Sequence, residues 1–123
     1  MQPAVVVLIS MMSYVIGSFP TAYLIGRAKG IDIFKVGSGN MGATNVIRAL
    51  GFRYGALVWA VDAAKGVLAI LLARQLAPDY QTTASVLAAV AAVAGHNWSL
   101  LATILTGSIR GGKGAATAMG TFL

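Results

Sequence analysis

Long apolar segments alternate with short polar linkers along this chain. Formal charge is absent from Met1 to Gly26 and again from Gln81 to Ile109. Because about 20 consecutive apolar residues are enough for a helix to cross a bilayer, this pattern predicts membrane-spanning helices. We expect spans near residues 3–25, 54–73 and 79–98, a re-entrant or interfacial piece at 100–109, and the start of a further helix at 114–123.

Composition supports the same fold class. Hydrophobic residues make up 58% of the chain and charged residues only 10%, far below the quarter that is usual in soluble domains. We therefore expect an all-α integral membrane protein, a multi-span helical bundle with glycine-rich cytoplasmic loops, forming one domain over residues 1–123. Cysteine is absent, which excludes disulfides, thiolate metal sites and cysteine nucleophiles.

The positive charge indicates how the chain is oriented in the membrane. Net charge is +6, and the linker after the first span carries five basic residues against one acidic residue, so five minus one gives it +4. Basic linkers of this kind are cytoplasmic by the positive-inside rule, which places the N-terminus outside and explains the charge without nucleic acid. The charged residues of this linker are Arg27, Lys29, Asp32, Lys35, Arg48 and Arg53.

Two features interrupt the apolar spans. Gly17 and Pro20 lie within the first span, where proline removes a backbone donor and can kink or end a helix. Asp62 and Lys65 lie three residues apart in the second span, on one helix face. Each charge costs roughly 2.5–3.5 kcal/mol in the membrane on insertion scales, so the two either form an internal ion pair or contact a substrate.

A polar, glycine-rich loop follows the first span and reads G-S-G-N-M-G-A-T-N-V-I-R from Gly37 to Arg48. Its glycines allow the backbone to approach a ligand closely, Ser38 and Asn45 offer hydrogen bonds, and Arg48 offers charge. These groups suit a phosphate or acyl-phosphate oxyanion, although a capped turn between two helices has a similar composition. A second glycine-rich loop runs from Arg110 to Thr117.

Both loops also approximate nucleotide-binding motifs. Gly37, Gly39 and Gly42 fit G-x-G-x-x-G, and residues 107–113 fit the start of a P-loop. Each motif requires a preceding buried strand, and the P-loop also requires Ser or Thr where Gly114 stands. We therefore expect neither a dinucleotide site nor a nucleotide-hydrolysing site. Both motifs have in common a glycine-rich backbone at a helix N-terminus, and this feature predicts an anion-binding site.

His96 is the only ionisable side chain between Gln81 and Ile109. It lies in the polar cluster Gly95-His96-Asn97-Trp98, which is expected at the cytoplasmic end of the third span. A histidine can act as a general base near neutral pH. The alternative is a hydrogen-bonded residue at the membrane interface.

The loop from Gly37 to Arg48 closely resembles the first signature of the bacterial membrane glycerol-3-phosphate acyltransferases of the PlsY family, and residues 110–117 resemble the second. Shorter matches lie at 17–23, 62–66 and 95–96. The resemblance implies an enzyme of the bacterial cell membrane that moves a fatty acyl group from acyl phosphate to the 1-hydroxyl of sn-glycerol 3-phosphate. The products would be lysophosphatidic acid, for phospholipid biosynthesis, and inorganic phosphate, with no metal or other cofactor.

The resemblance also implies roles for individual residues. Ser38 and Arg48 would be catalytic, and a phosphate oxygen of the acyl donor could take the hydroxyl proton. His96 stays a further catalytic candidate because of its own acid–base chemistry. Asn40 and Asn45 would shape the first loop around phosphate. The substrate- and phosphate-binding set is Gly37, Asn40, Gly42, Asn45, Arg110, Gly111, Gly112, Lys113, Gly114 and Thr117.

The family continues into further spans and a third signature with His, Asn and Glu, whereas this chain contains no Glu and no match to that signature. We therefore expect it to correspond to an N-terminal portion. The rival hypothesis is a non-enzymatic membrane protein that binds or conducts a small phosphorylated anion, for which the same loops and the Asp62–Lys65 pair would also serve.

Overall fold

The structure is a computed structural model that describes residues 1–107 and 115–122. All regular secondary structure in these two ranges is helical. The α-helices are α1 (Pro3–Gly17), α2 (Thr21–Ala28), α3 (Ala43–Leu50), α4 (Phe52–Leu76), α5 (Gln81–Asn97), α6 (Leu100–Thr106) and α7 (Ala115–Thr121), with short 3₁₀ helices at Ile33–Lys35 and Pro78–Tyr80.

Among the described residues, two stretches are long and apolar enough to cross a membrane by length and composition. They are Pro3–Ala28, counted across the break between α1 and α2, and Phe52–Leu76. Helix α5 has 17 residues and is therefore about 25 Å long, somewhat less than a bilayer core. The third span and the re-entrant piece stay predictions.

Large apolar side chains cover the outer faces of α1, α4 and α5, whereas the space between these three helices is filled mainly by small side chains. Around Ile9, the buried cluster between α1, α4 and α5 consists mainly of alanines. Packing through small residues is typical of helices in lipid, where bringing backbones close together replaces the hydrophobic driving force. The exposed apolar side chains on these three helices include Val7, Met11, Val15, Leu57, Leu68, Leu71, Val86 and Val90.

Helices α1 and α5 approach each other through two glycines. A Cβ atom on Gly17 would overlap the backbone of Ala92, and one on Gly95 would overlap the carbonyl group of Tyr14. Gly66 and Gly120 bring α4 and α7 together in the same manner. The contacts of Gly17 and Gly95 position the C-terminal ends of α1 and α5, where both helices end.

The two helix breaks lie side by side and are joined by hydrogen bonds. The Tyr14 hydroxyl donates to the carbonyl of Trp98, and the Ser99 hydroxyl donates to the carbonyl of Ser18. Ser99 is also the N-cap of α6, because its hydroxyl accepts from the N–H of Ala102 at 3.0 Å. The α1–α2 break and the α5–α6 break therefore form one polar junction inside the bundle.

A second apolar cluster supports the glycine loop. It joins Ala22 of α2, Val58 of α4 and Ala102 of α6 to four residues from the loop region, which are Ile33, Phe34, Met41 and Val46. The ring of Tyr23 stacks on that of Phe34 with 5.6 Å between centroids. The position of the loop therefore depends on α2 as well as on α4.

Candidate functional site

The loop from Gly37 to Arg48 turns back on itself before α3 begins. Gly37 and Gly39 adopt positive φ angles of 52° and 70°, a conformation that disfavours residues with a Cβ atom. A Cβ on Gly37 would also overlap Oδ1 of Asn45. Glycine at position 37 is therefore required both by the backbone conformation and by the packing of Asn45.

Asn45, in the first turn of α3, is the centre of the loop. Its side chain is buried, and Nδ2 lies within hydrogen-bond distance of three carbonyl oxygens, those of Ile33 at 3.2 Å, Val36 at 3.1 Å and Asn40 at 3.0 Å. Oδ1 accepts from the N–H of Ser38 at 3.2 Å. The carboxamide therefore has its donors and acceptor occupied by the backbone of the loop itself.

Three polar groups of the loop lie at or near the surface. Ser38 is exposed, and its Oγ accepts from the N–H of Asn40 at 3.4 Å. Arg48 is exposed in the last turn of α3. Gly42 is the N-cap of α3 and supplies no side-chain cap, so the first N–H groups of the helix are not capped by a side chain and can face an anion.

The second loop is described only at one end. Arg110, Gly111, Gly112, Lys113 and Gly114 lie outside the described residues. Thr117 lies in α7, with its side chain buried and its carbonyl oxygen against Gly66 of α4. The structure thus brings Gly37, Ser38, Asn40, Gly42 and Asn45 together.

His96 belongs to a different, buried cluster with Asp62 and Lys65. Its Nδ1 lies 2.9 Å from Nζ of Lys65 and 3.9 Å from Oδ1 of Asp62. An ammonium group can only donate, so Nδ1 accepts and the proton of a neutral imidazole is on Nε2. Within the part of the chain that the structure describes, no group of three His, Asp or Glu side chains could hold a metal ion.

Lys65 has partners that its spacing from Asp62 does not reveal. Its Nζ is 3.0 Å from Oδ1 of Asp62, as the ion-pair interpretation requires. It also donates to the carbonyls of Gly17 and Phe19, each at 3.0 Å. The available signal is Pro20, because a proline-broken helix in lipid leaves carbonyl groups that need a donor.

A family model described as glycerol-3-phosphate acyltransferase matches residues 7–123 of this chain. The chain belongs to the glycerol-3-phosphate acyltransferase family. It is 48% identical over 115 residues to the glycerol-3-phosphate acyltransferase of Rubrobacter xylanophilus, covering 94% of this chain and 54% of that protein. It is 50% identical over 110 residues to glycerol-3-phosphate acyltransferase 1 of Deinococcus radiodurans, covering 89% and 52%.

The fold agrees with this family. The chain superimposes on the crystal structure of PlsY, an integral membrane glycerol 3-phosphate acyltransferase, in its glycerol 3-phosphate form, with a TM-score of 0.79 and 38% identity. The match covers 94% of this chain and 55% of PlsY. An all-α integral membrane fold is thereby confirmed, and the chain spans about half the length of the curated relatives it matches.

Proposed function

We propose that this protein acts in the membrane as an acyl-phosphate-dependent glycerol-3-phosphate acyltransferase. Family membership supports the reaction class, and the solved PlsY structures include a glycerol 3-phosphate form and a lysophosphatidic acid form. The substrates proposed for this chain are a fatty acyl phosphate and sn-glycerol 3-phosphate. Both carry phosphate groups, while the acyl tail remains in membrane lipid.

The observation that carries the proposal is the organisation of the Gly37–Arg48 loop around Asn45. The buried carboxamide holds the backbone, so the exposed Ser38 hydroxyl and the uncapped start of α3 lie on a fixed frame. Arg48 follows on the same helix and adds positive charge. A fixed frame of donors beside a cation suits a phosphate oxyanion, because its dipoles need little rearrangement when charge develops.

In the proposed reaction, the 1-hydroxyl oxygen of glycerol 3-phosphate attacks the acyl carbonyl carbon. A carbon–oxygen ester bond forms, the bond between the acyl carbon and the phosphate oxygen breaks, and the hydroxyl proton passes to the phosphate group that leaves. We assign Ser38 and Arg48 to the phosphate of a substrate, and Asn45 to holding the loop. Positioning of the two substrates can lower the barrier by about 7–11 kcal/mol.

We assign the proton transfer to a phosphate oxygen of the donor, and not to His96. The His96 ring is buried and its Nδ1 already contacts Lys65, so its remaining nitrogen carries the proton and cannot accept another.

The second loop, from Arg110 to Gly114 with Thr117 beyond it, would supply the binding site for the other phosphate. We also propose that the N-terminus lies outside the cell, which places the basic linker between the first two spans in the cytoplasm.

The direct test measures transfer in membranes. Membranes from cells that express the protein from its complete reading frame are incubated with palmitoyl phosphate and labelled glycerol 3-phosphate, and the lipid products are separated. We expect labelled lysophosphatidic acid that depends on acyl phosphate and exceeds the product of empty-vector membranes. Absence of that product, or equal amounts without acyl phosphate, would overturn the proposal in favour of a non-enzymatic anion-binding protein.

A further inference from the structure

The cluster around Lys65 is the most unusual feature of the bundle that the proposed reaction does not use. Lys65 lies near the middle of α4 and is 5% exposed. Four acceptor atoms lie within 3.0 Å of its Nζ, which are the carbonyl oxygens of Gly17 and Phe19, Nδ1 of His96 and Oδ1 of Asp62. A charged side chain inside a membrane-spanning segment is energetically costly and usually marks a functional site.

Two of these acceptors belong to the break between α1 and α2. Pro20 has no N–H, so continuous helical hydrogen bonding cannot pass this point. The carbonyl groups at the end of α1 then need other donors, since lipid supplies none. Lys65 reaches across from α4 and donates to the carbonyls on both sides of Ser18.

The orientation of α2 affects the glycine loop. Tyr23 of α2 stacks on Phe34, and Ala22 packs in the same cluster as Ile33 and Met41. The carbonyl of Ile33 accepts from Asn45 at 3.2 Å. Contacts therefore run without interruption from the helix break, through α2, to the side chain that organises the loop.

We infer that Lys65 is a positioning residue that fixes α2 relative to α4 through the carbonyls of Gly17 and Phe19, and thereby holds the Gly37–Arg48 loop in its binding geometry. Pairing with Asp62 neutralises the buried charge, and the carbonyl contacts do the positioning. The consequence for turnover rests on the proposed acyltransferase function, whereas the consequence for the position of α2 does not.

The experiment compares two variants that separate charge pairing from carbonyl contact. Asp62→Asn removes the ion pair and keeps the Lys65 amino group, whose N–H groups can donate to both carbonyls whether or not the amine carries its third proton. Asp62→Asn/Lys65→Met leaves no buried charge unpaired and removes the carbonyl contacts. Since these 123 residues contain no cysteine, spin labels on Ala28→Cys in α2 and Gln75→Cys in α4, both exposed sites, report the distance between these helices by pulsed electron paramagnetic resonance, with any cysteine elsewhere in the reading frame replaced by serine.

We expect the labelled wild type and Asp62→Asn to give a narrow distance distribution, and the double variant a broadened or shifted one. Turnover per folded molecule in the double variant should fall on the order of 100-fold, the effect of a displacement of about 1 Å at a reacting centre. Arg53→Met, which removes an exposed cation from the same helix, is the control and should match the wild type. A residue that only stabilised the fold would lower the yield and leave turnover per folded molecule unchanged.

Besides unchanged turnover per folded molecule in the double variant, three results would overturn the inference. One is a double variant with the wild-type distance distribution, and another is an Asp62→Asn variant as broad as the double variant. The third is a double variant that cannot be recovered folded while Asp62→Asn can, because Lys65 would then serve folding alone. Since the distance measurement needs no activity, an inactive wild type would count against the acyltransferase proposal and leave this test intact.

Discussion

The N–H of Ser38 donates a hydrogen bond to Oδ1 of Asn45 across 3.2 Å. A residue with an exposed hydroxyl is thus held by a buried side chain of the following helix. The same carboxamide binds three carbonyl groups through Nδ2. A single side chain therefore joins four backbone positions of the loop region, and variants of that side chain should affect the loop before they affect the bundle.

Asn45→Asp should disrupt the loop while keeping the size of the side chain. A carboxylate can still accept from Ser38, but it offers no donor to the carbonyls of Ile33, Val36 and Asn40. Leaving buried polar groups unpaired costs about 1–3 kcal/mol. We expect a lower melting temperature in detergent and loss of acyl transfer. Gln75→Glu, the same chemical change at an exposed site on α4, is the control, and an Asn45→Asp protein as active and stable as the control would contradict the assignment.

Gly37→Ala and Gly30→Ala separate backbone strain from packing. Both glycines have positive φ angles, 52° and 81°. An alanine at either position would be held in the left-handed backbone region, which destabilises the fold by about 1–2 kcal/mol. Only at Gly37 would the new Cβ meet Asn45, since nothing lies within 4 Å of a Cβ at Gly30. We expect Gly37→Ala to lose most of its transfer activity and Gly30→Ala to keep most of it. Equal losses in the two variants would show that the packing against Asn45 is unimportant.

Ser38→Ala and Arg48→Ala test the two exposed groups assigned to phosphate. Removal of a donor to a developing anion costs on the order of 100-fold or more in rate, so both variants should be close to inactive. Arg53→Ala at an exposed position and Ser85→Ala at a partly buried position, changes of the same kind outside the loop, should retain activity. Michaelis–Menten kinetics in proteoliposomes provide the measurement, and wild-type kinetics in Ser38→Ala would show that its assignment is wrong.

Two variants of His96 distinguish a hydrogen-bonding role of this side chain from a role as general base. The oxygen of Asn in His96→Asn can lie near the position of Nδ1 and still accept from Lys65, whereas Phe in His96→Phe cannot. If the contact with Lys65 is the function of His96, the Asn variant should keep substantial turnover and the Phe variant should lose it. Comparable inactivation of both variants, with both proteins folded, would favour a general base instead.

Orientation in the membrane is testable because the chain has no cysteine. Lys35→Cys and Asp79→Cys place single thiols at exposed positions on either side of the second predicted span. A membrane-impermeant maleimide should label Asp79→Cys in intact cells, and Lys35→Cys only after permeabilisation. The basic linker that contains Lys35 is predicted to be cytoplasmic by the positive-inside rule. The opposite labelling pattern would reverse the proposed topology.

Much of the fold follows from local features of the sequence. Apolar runs specify helices in lipid because a buried backbone must satisfy its own hydrogen bonds. Gly17 and Pro20 mark the break where α1 ends and α2 begins. Gly51 lies between α3 and α4 with a φ of 97°, a conformation that favours glycine. The glycine loop and its family signature are also readable without coordinates.

The interior of the site required the tertiary structure. A pattern of polar residues from Ser38 to Arg48 does not reveal that Asn45 points inward while Ser38 and Arg48 point outward, because that choice depends on the apolar cluster beneath the loop. Likewise, spacing predicts the pair of Asp62 with Lys65, three residues apart, but not the bonds from Lys65 to carbonyls more than 40 residues away.

By itself, then, the sequence determined a helical membrane protein, the position of its helix breaks and the loop that carries the family signature, since each depends on composition and spacing within a few residues. Only the tertiary structure decided which loop side chains are buried and which groups Lys65 contacts. Hydrogen bonds between distant residues depend on how helices pack against one another, and that packing brought Lys65 to the carbonyls that Pro20 leaves without a donor.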